Sequence, residues 1–240
     1  MPNHVATNLI ITGPSADVRR FVAAVDRTNP NLPEDQAETF DFNGLVPMPE
    51  ELKSTTSPTT IRSQSEIDNL WAEYNRRKDA GELNESELRE GKPWNLGITS
   101  EQSNQLVAKY GTDNWYDWKT FNWGTKWGAY DATPWEVTDG ENGNATASIH
   151  YNTAWSPANA FFINVSKLFP TIAFDTEYAD EGGGFVCETS WENGRVTKDE
   201  GYLWNDADGL RIREAVGYDI DLEEDYEEDY EEDYEPPTMQ

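Results

Sequence analysis

Polar and apolar positions alternate from the first residues. Val5, Thr7, Leu9 and Ile11 interleave with Ala6, Asn8, Ile10 and Thr12, a period of two that predicts a strand. Gly13-Pro14 breaks the period and Ser15 is placed to cap a helix. Val18, Phe21, Val22 and Val25 then recur at i, i+3, i+4 and i+7, one apolar stripe that ends before Asn29-Pro30. Phe40–Val46 reads as a short apolar strand, closed by Pro47-Met48-Pro49, where two prolines forbid further ladder bonds. The same grammar returns later. Ala145, Ala147, Ile149 and Tyr151 alternate with polar neighbours, and Ser156-Pro157 suits a helix entry. Phe161, Phe162, Val165, Leu168 and Phe169 form the next stripe, Pro170 stops it, and Ile172, Phe174, Thr176 and Tyr178 alternate as a strand. Phe185–Trp191 and Arg195–Trp204 flank Asn193-Gly194, a strong hairpin signal.

Two strand–helix–strand units and a hairpin predict an α+β fold, a ferredoxin-like antiparallel sheet with helices on one face. Residues 1–50 and 113–204 make this core. Between them, residues 51–112 read as a mostly helical insertion: Ile67, Leu70, Trp71 and Tyr74 form a stripe, and Thr99 with Gln102 makes a capping box for a helix ended by Gly111. Residues 205–218 read as a linker and 219–240 as an acidic tail.

Charge narrows the function classes. The 240 residues hold 46 Asp plus Glu against 18 Lys plus Arg, a net −28. Asp219–Glu235 carries 12 of the acids and no base, so the remaining 34 acids against 18 bases give −16 over residues 1–218. Such a surface repels phosphates and anionic lipid, which argues against direct binding of nucleic acid or a membrane. No apolar run approaches the ~20 residues of a spanning helix. Met1-Pro2-Asn3-His4 opens no readable signal peptide, and a lone cysteine, Cys187, fits a reducing cytoplasm.

Six of the ten tryptophans fall within residues 94–135. From a cap at Thr112, Trp115, Trp118, Lys119 and Asn122 lie on one side of a helix; the period then changes, with Trp123, Thr125 and Trp127 on one side of a strand. Rings this dense build either a bulky core or a recognition groove. The groove reading selects Asn122, Trp123, Thr125, Lys126, Trp127, Thr153 and Trp155 as binding residues. Met1-Pro2-Asn3 with Asn8 and Gly13, the run FNGLVPMP at Phe42–Pro49, NWGTKW at Asn122–Trp127 and TAWSP at Thr153–Pro157 resemble the YubB-like family. That resemblance implies a ferredoxin-like domain and an origin in a plasmid or phage inside a bacterium; it implies no catalytic residues.

Chemistry-bearing motifs are sparse. Two histidines, His4 and His150, with one cysteine do not make a zinc set, and neither a phosphate loop nor a nucleophile elbow is present. Asp206-Ala207-Asp208-Gly209 imitates the middle of a calcium loop, but its outer ligand positions fall on Trp204 and Ala215. Asp175 and Glu177 read as a solvated face rather than a cation site. The expectation is a protein that is not an enzyme and holds no cofactor.

The tail is EEDY three times over: Glu223, Glu224, Asp225, Tyr226, Glu227, Glu228, Asp229, Tyr230, Glu231, Glu232, Asp233 and Tyr234. Its composition favours disorder and solubility. Its charge spacing suggests more. Wound as a helix it places one charge per ~2 Å, close to the ~1.7 Å of duplex DNA, and drawn out as a strand one per ~4.4 Å. The leading expectation is therefore a cytoplasmic binding protein that inhibits a host nucleic-acid-handling defence protein, the tail occupying that partner's basic surface. The alternative is a small-ligand or nucleotide-binding module using the tryptophan groove, with the tail only a solubiliser.

Overall fold

The computed structural model describes residues 3–28 and 39–218. Strand β1 (His4–Pro14) lies between β3 (Asn144–Ala154) and β4 (Ala173–Asp180), antiparallel to both. Beyond β3 lies β2 (Glu136–Asp139), and beyond β4 lie β5 (Val186–Glu192) and β6 (Arg195–Tyr202), giving the order β2-β3-β1-β4-β5-β6. Helix α1 (Ser15–Val25) follows β1, and α7 (Asn159–Leu168) connects β3 to β4 across β1. The unit β1-α1-β2-β3-α7-β4 is thus a ferredoxin-like βαββαβ, extended on one side by the β5–β6 hairpin. Asn193 and Gly194 turn that hairpin with φ of 46° and 75°, the positive angles its two-residue loop needs.

Alternation decides the two faces. Leu9 and Ile11 of β1, with Phe174 of β4 and Trp191 of β5, bury against Val18, Phe21 and Val25 of α1 and Phe161, Phe162 and Val165 of α7. Phe42 stacks on Phe161 with ring centroids 4.2 Å apart, and Phe162 on Trp191 at 4.9 Å. The insertion contributes α2 (Glu50–Lys53), α3 (Gln64–Asp79), α4 (Glu85–Glu90) and α5 (Ser100–Tyr110), and α6 (Trp115–Asn122) follows it. Capping boxes at Ser63/Glu66, Asn84/Glu87 and Thr99/Gln102 open three of these helices.

Several expectations change. Phe40–Val46 is not a strand: Phe40 and Phe42 are buried, but Phe40 lies before and Phe42 opens a single 3-10 turn, Phe42–Gly44, where Asp41 accepts from the Asn43 N–H at 2.8 Å. The second strand of the unit is β2, which the sequence pattern missed. Residues 205–218 are no linker. They hold α8 (Ala207–Ala215), whose Ile212 packs with Val216 on Ala6, Ala179 and Val186 across the opposite sheet face. Asp206, the calcium-like acid, caps this helix by accepting from the Gly209 N–H at 2.6 Å. Caps shift as well: Asn114 rather than Thr112 opens α6, and α7 begins at Asn159, beyond Ser156.

Candidate functional site

After α6 the chain turns instead of extending as a strand. Trp123 drops into the core, 2% exposed, with its indole N–H donating to the Val46 carbonyl at 2.9 Å. Gly124 follows with φ of +87°, and a Cβ there would meet backbone atoms of Pro157, Asn159 and Ala160 at 3.1 Å. Only glycine fits this approach to the start of α7. The buried Thr125 hydroxyl donates to the Ala154 carbonyl at 2.8 Å, and the Ser156 hydroxyl to the Gly124 carbonyl at 2.7 Å. Thr153, also buried, closes its own turn by donating to the Ser156 carbonyl at 2.8 Å. Asn122 is tied twice, its side-chain amide donating to the Trp118 carbonyl at 2.9 Å and its backbone carbonyl accepting from the Asn164 side-chain amide at 3.2 Å. NWGTKW and TAWSP therefore bear directly on each other. They are a brace, not the two walls of a groove, and Trp123, Thr125 and Thr153 are its internal parts.

The brace presents three of the expected residues outward. Trp127 is 38% and Trp155 49% exposed. Lys126 sets its ammonium 5.4 Å from the centroid of Trp127, whose ring meets Tyr130 edge-on at 6.0 Å. Trp155 holds φ of +71°, a left-handed conformation that an L residue with a large side chain seldom adopts. Its N–H donates to the Asn3 carbonyl at 3.0 Å, and the brace bonds on both sides keep it there. Strain of this kind persists only where the surrounding structure holds it. At the same end of β1, the Tyr130 hydroxyl lies 2.7 Å from His4 Nδ1, and burial pushes that phenol up to about 12. Tyr218, the last described residue, donates to the His4 carbonyl at 3.1 Å. The Tyr218 side chain thus closes on the same end of β1. Glu223–Tyr234 themselves lie outside the described residues.

Other polar candidates have structural work. Asp175 accepts from the Ser190 hydroxyl at 2.6 Å, and Glu177 from Arg211 of α8 at 2.5 Å. The Asn8 amide donates to the Ala215 carbonyl at 2.7 Å, which leaves its oxygen to accept from His150 Nδ1 at 2.9 Å and fixes the proton on that nitrogen. Burial lowers the pKa of His150. Among the described residues no group of three or more His, Cys, Asp or Glu is placed to hold a metal ion, and no helix is long and apolar enough to cross a membrane. Lys119 is half-buried, with its ammonium 5.3 Å from the centroid of Trp115 and 5.0 Å from that of Trp123; burial lowers its pKa.

The sequence pattern missed a cleft of about 670 Å³ in the insertion, lined by Lys53–Pro58, Thr60, Ser86, Glu87, Glu90, Lys92–Leu96 and Trp115. Its parts come from stretches some 60 residues apart, so no local motif marks it.

Fold and brace define a ferredoxin-like domain carrying an aromatic display at one end of its sheet. Residues 132–235 match the family model described as the ferredoxin-like domain in Api92-like protein. Among solved structures, the chain is similar to the crystal structure of a protein api92 from Yersinia pseudotuberculosis, at 13% identity and a TM-score of 0.41, over 84% of this chain and 98% of that one. No curated protein matches the chain.

Proposed function

We propose that the chain is a non-catalytic binding protein of a plasmid or phage. It acts in the bacterial cytoplasm on a host defence protein with a basic nucleic-acid-binding surface, and its EEDY repeats stand in for the nucleic acid. The observation that carries this reading is the run of 12 acids without a base over Asp219–Glu235. Its charge spacing lies in the range of nucleic-acid strands, and a tyrosine every fourth residue offers a flat face where a strand has bases. The likeness of NWGTKW and TAWSP to the YubB-like family supports the mobile-element origin. The exposed pair Trp127 and Trp155 supports a second contact with the same partner. Net charge far from zero favours rapid capture of a cationic surface.

The test is capture from bacterial lysate on immobilised full chain and on residues 1–218, followed by elution with single-stranded DNA. The reading expects proteins held only by the full chain and displaced by the DNA. An identical set on both baits, or retention through excess DNA, contradicts it.

A further inference from the structure

We infer that the cleft in the insertion binds a neutral, hydroxyl-rich ring, one saccharide unit of a glycan. Its walls are fixed before any ligand arrives. The Ile98 N–H donates to the Thr60 carbonyl and the Arg62 N–H to the Ile98 carbonyl, both at 2.9 Å. The Trp115 N–H donates to the Thr55 hydroxyl at 3.0 Å, and Lys92 to the Ser54 carbonyl at 3.0 Å. Asn95, with φ of +50°, turns the chain so that Trp94 stands 89% exposed at the rim, while the half-buried Trp115 lines the interior. A large apolar ring left this open has no packing role. It offers the flat surface on which the C–H face of a pyranose stacks.

The polar lining decides the ligand's charge. Glu87 is neutralised by Arg77 at 2.7 Å and Lys53 by Glu50 at 2.7 Å; Lys92, held on the Ser54 carbonyl, and Glu90 leave one charge of each sign on the lining. The lining groups with no hydrogen-bond partner among the described residues are the hydroxyls of Ser54, Ser57 and Ser86, the Glu90 carboxylate, the Asn95 side-chain N–H group and the indole N–H groups of Trp94 and Trp115. Three hydroxyls, one carboxylate, one amide and two indole N–H groups are donors and acceptors suited to ring hydroxyls. They supply no fork of cations for a phosphate. An anionic ligand also meets the field of a body carrying −16 over residues 1–218. A mononucleotide fits the volume but not this charge pattern.

This inference stands apart from the role of the tail. The test titrates full chain with cellohexaose, chitohexaose, mannohexaose and a galactohexaose, and with AMP as the anionic comparison, following the indole N–H resonances of Trp94 and Trp115. The expected result is a saturable shift of both indoles with at least one neutral hexaose. Affinity should weaken about tenfold or more in Trp94→Ala and several-fold in Glu90→Gln, and should be unchanged in residues 1–218. Because Trp94 is almost fully exposed, its replacement leaves the melting temperature in place, and circular dichroism checks that the fold is intact. No shift with any of the four saccharides, tighter binding of AMP, or unchanged affinity in a folded Trp94→Ala overturns the inference.

Discussion

Replacing Trp155 by glycine should leave a more stable protein than replacing it by alanine. Both substitutions remove the same indole, 49% exposed, so lost side-chain contacts cancel in the comparison. What differs is the backbone at φ of +71°. A Cβ in the left-handed region costs about 1–2 kcal/mol, which alanine keeps and glycine relieves. Glycine also gives the unfolded chain more freedom, which takes back about 0.4–1 kcal/mol. The net expectation is glycine ahead by about 0.5–1 kcal/mol, or about 2 °C in melting temperature for a domain of this size. In a strand or helix of ordinary geometry the order reverses by about 0.5–1 kcal/mol, so the sign alone is diagnostic. Urea unfolding of the two variants at equal m-value reads the difference directly. Alanine equal to glycine or ahead of it refutes the claim that Trp155 is held under strain.

Trp123→Ala should cost about 3–5 kcal/mol in urea unfolding, since it empties a core position and orphans the Val46 carbonyl. Trp127→Ala, at an exposed position, should cost about 0.5 kcal/mol. Comparable losses in the two variants contradict the division between brace and display. Glu188 carries a pH dependence. Burial pushes its carboxyl up, but hydrogen bonds from Lys198, Tyr202 and Arg211 outweigh that and bring it down from 4.5 to about 2. The folded state therefore holds the depressed value, so this contribution is complete above pH 4.5 and is lost as pH falls toward about 2. The stability advantage of the unchanged protein over Glu188→Gln should shrink across that window at fixed ionic strength; a gap independent of pH contradicts the network that pins α8.

The parts of the fold written in repeated periods were legible. β1, β3 and β4 alternate over seven or more residues, α1 and α7 carry full stripes, and Asn193-Gly194 marks its hairpin, so the ferredoxin-like arrangement follows from the chain. β2 was not legible, because Val137 is its one apolar residue. Phe40 and Phe42 alternate like a strand, yet a bend leading into a 3-10 turn buries the same rings. α8 hides because it has nine residues, a glycine at its third position and a short stripe. At the site, NWGTKW and TAWSP were visible as strings, but a period of two set Trp123, Thr125 and Trp127 on one side. Gly124 between a tryptophan and a threonine was the available signal that the chain turns there. The bonds from Thr125 to Ala154 and Ser156 to Gly124 span about 30 residues and depend on the folded sheet, which local pattern does not encode.

In the function proposed above, negative charge on Asp219–Glu235 is read by a partner as nucleic acid. Its most direct measure is the affinity of the captured host protein for the full chain and for residues 1–218, each followed as a function of salt. If the tail's carboxylates release counterions from a basic groove, log K falls more steeply with log salt for the full chain, by roughly one unit of slope for each contact of the phosphate kind. Parallel lines for the two forms would contradict the account.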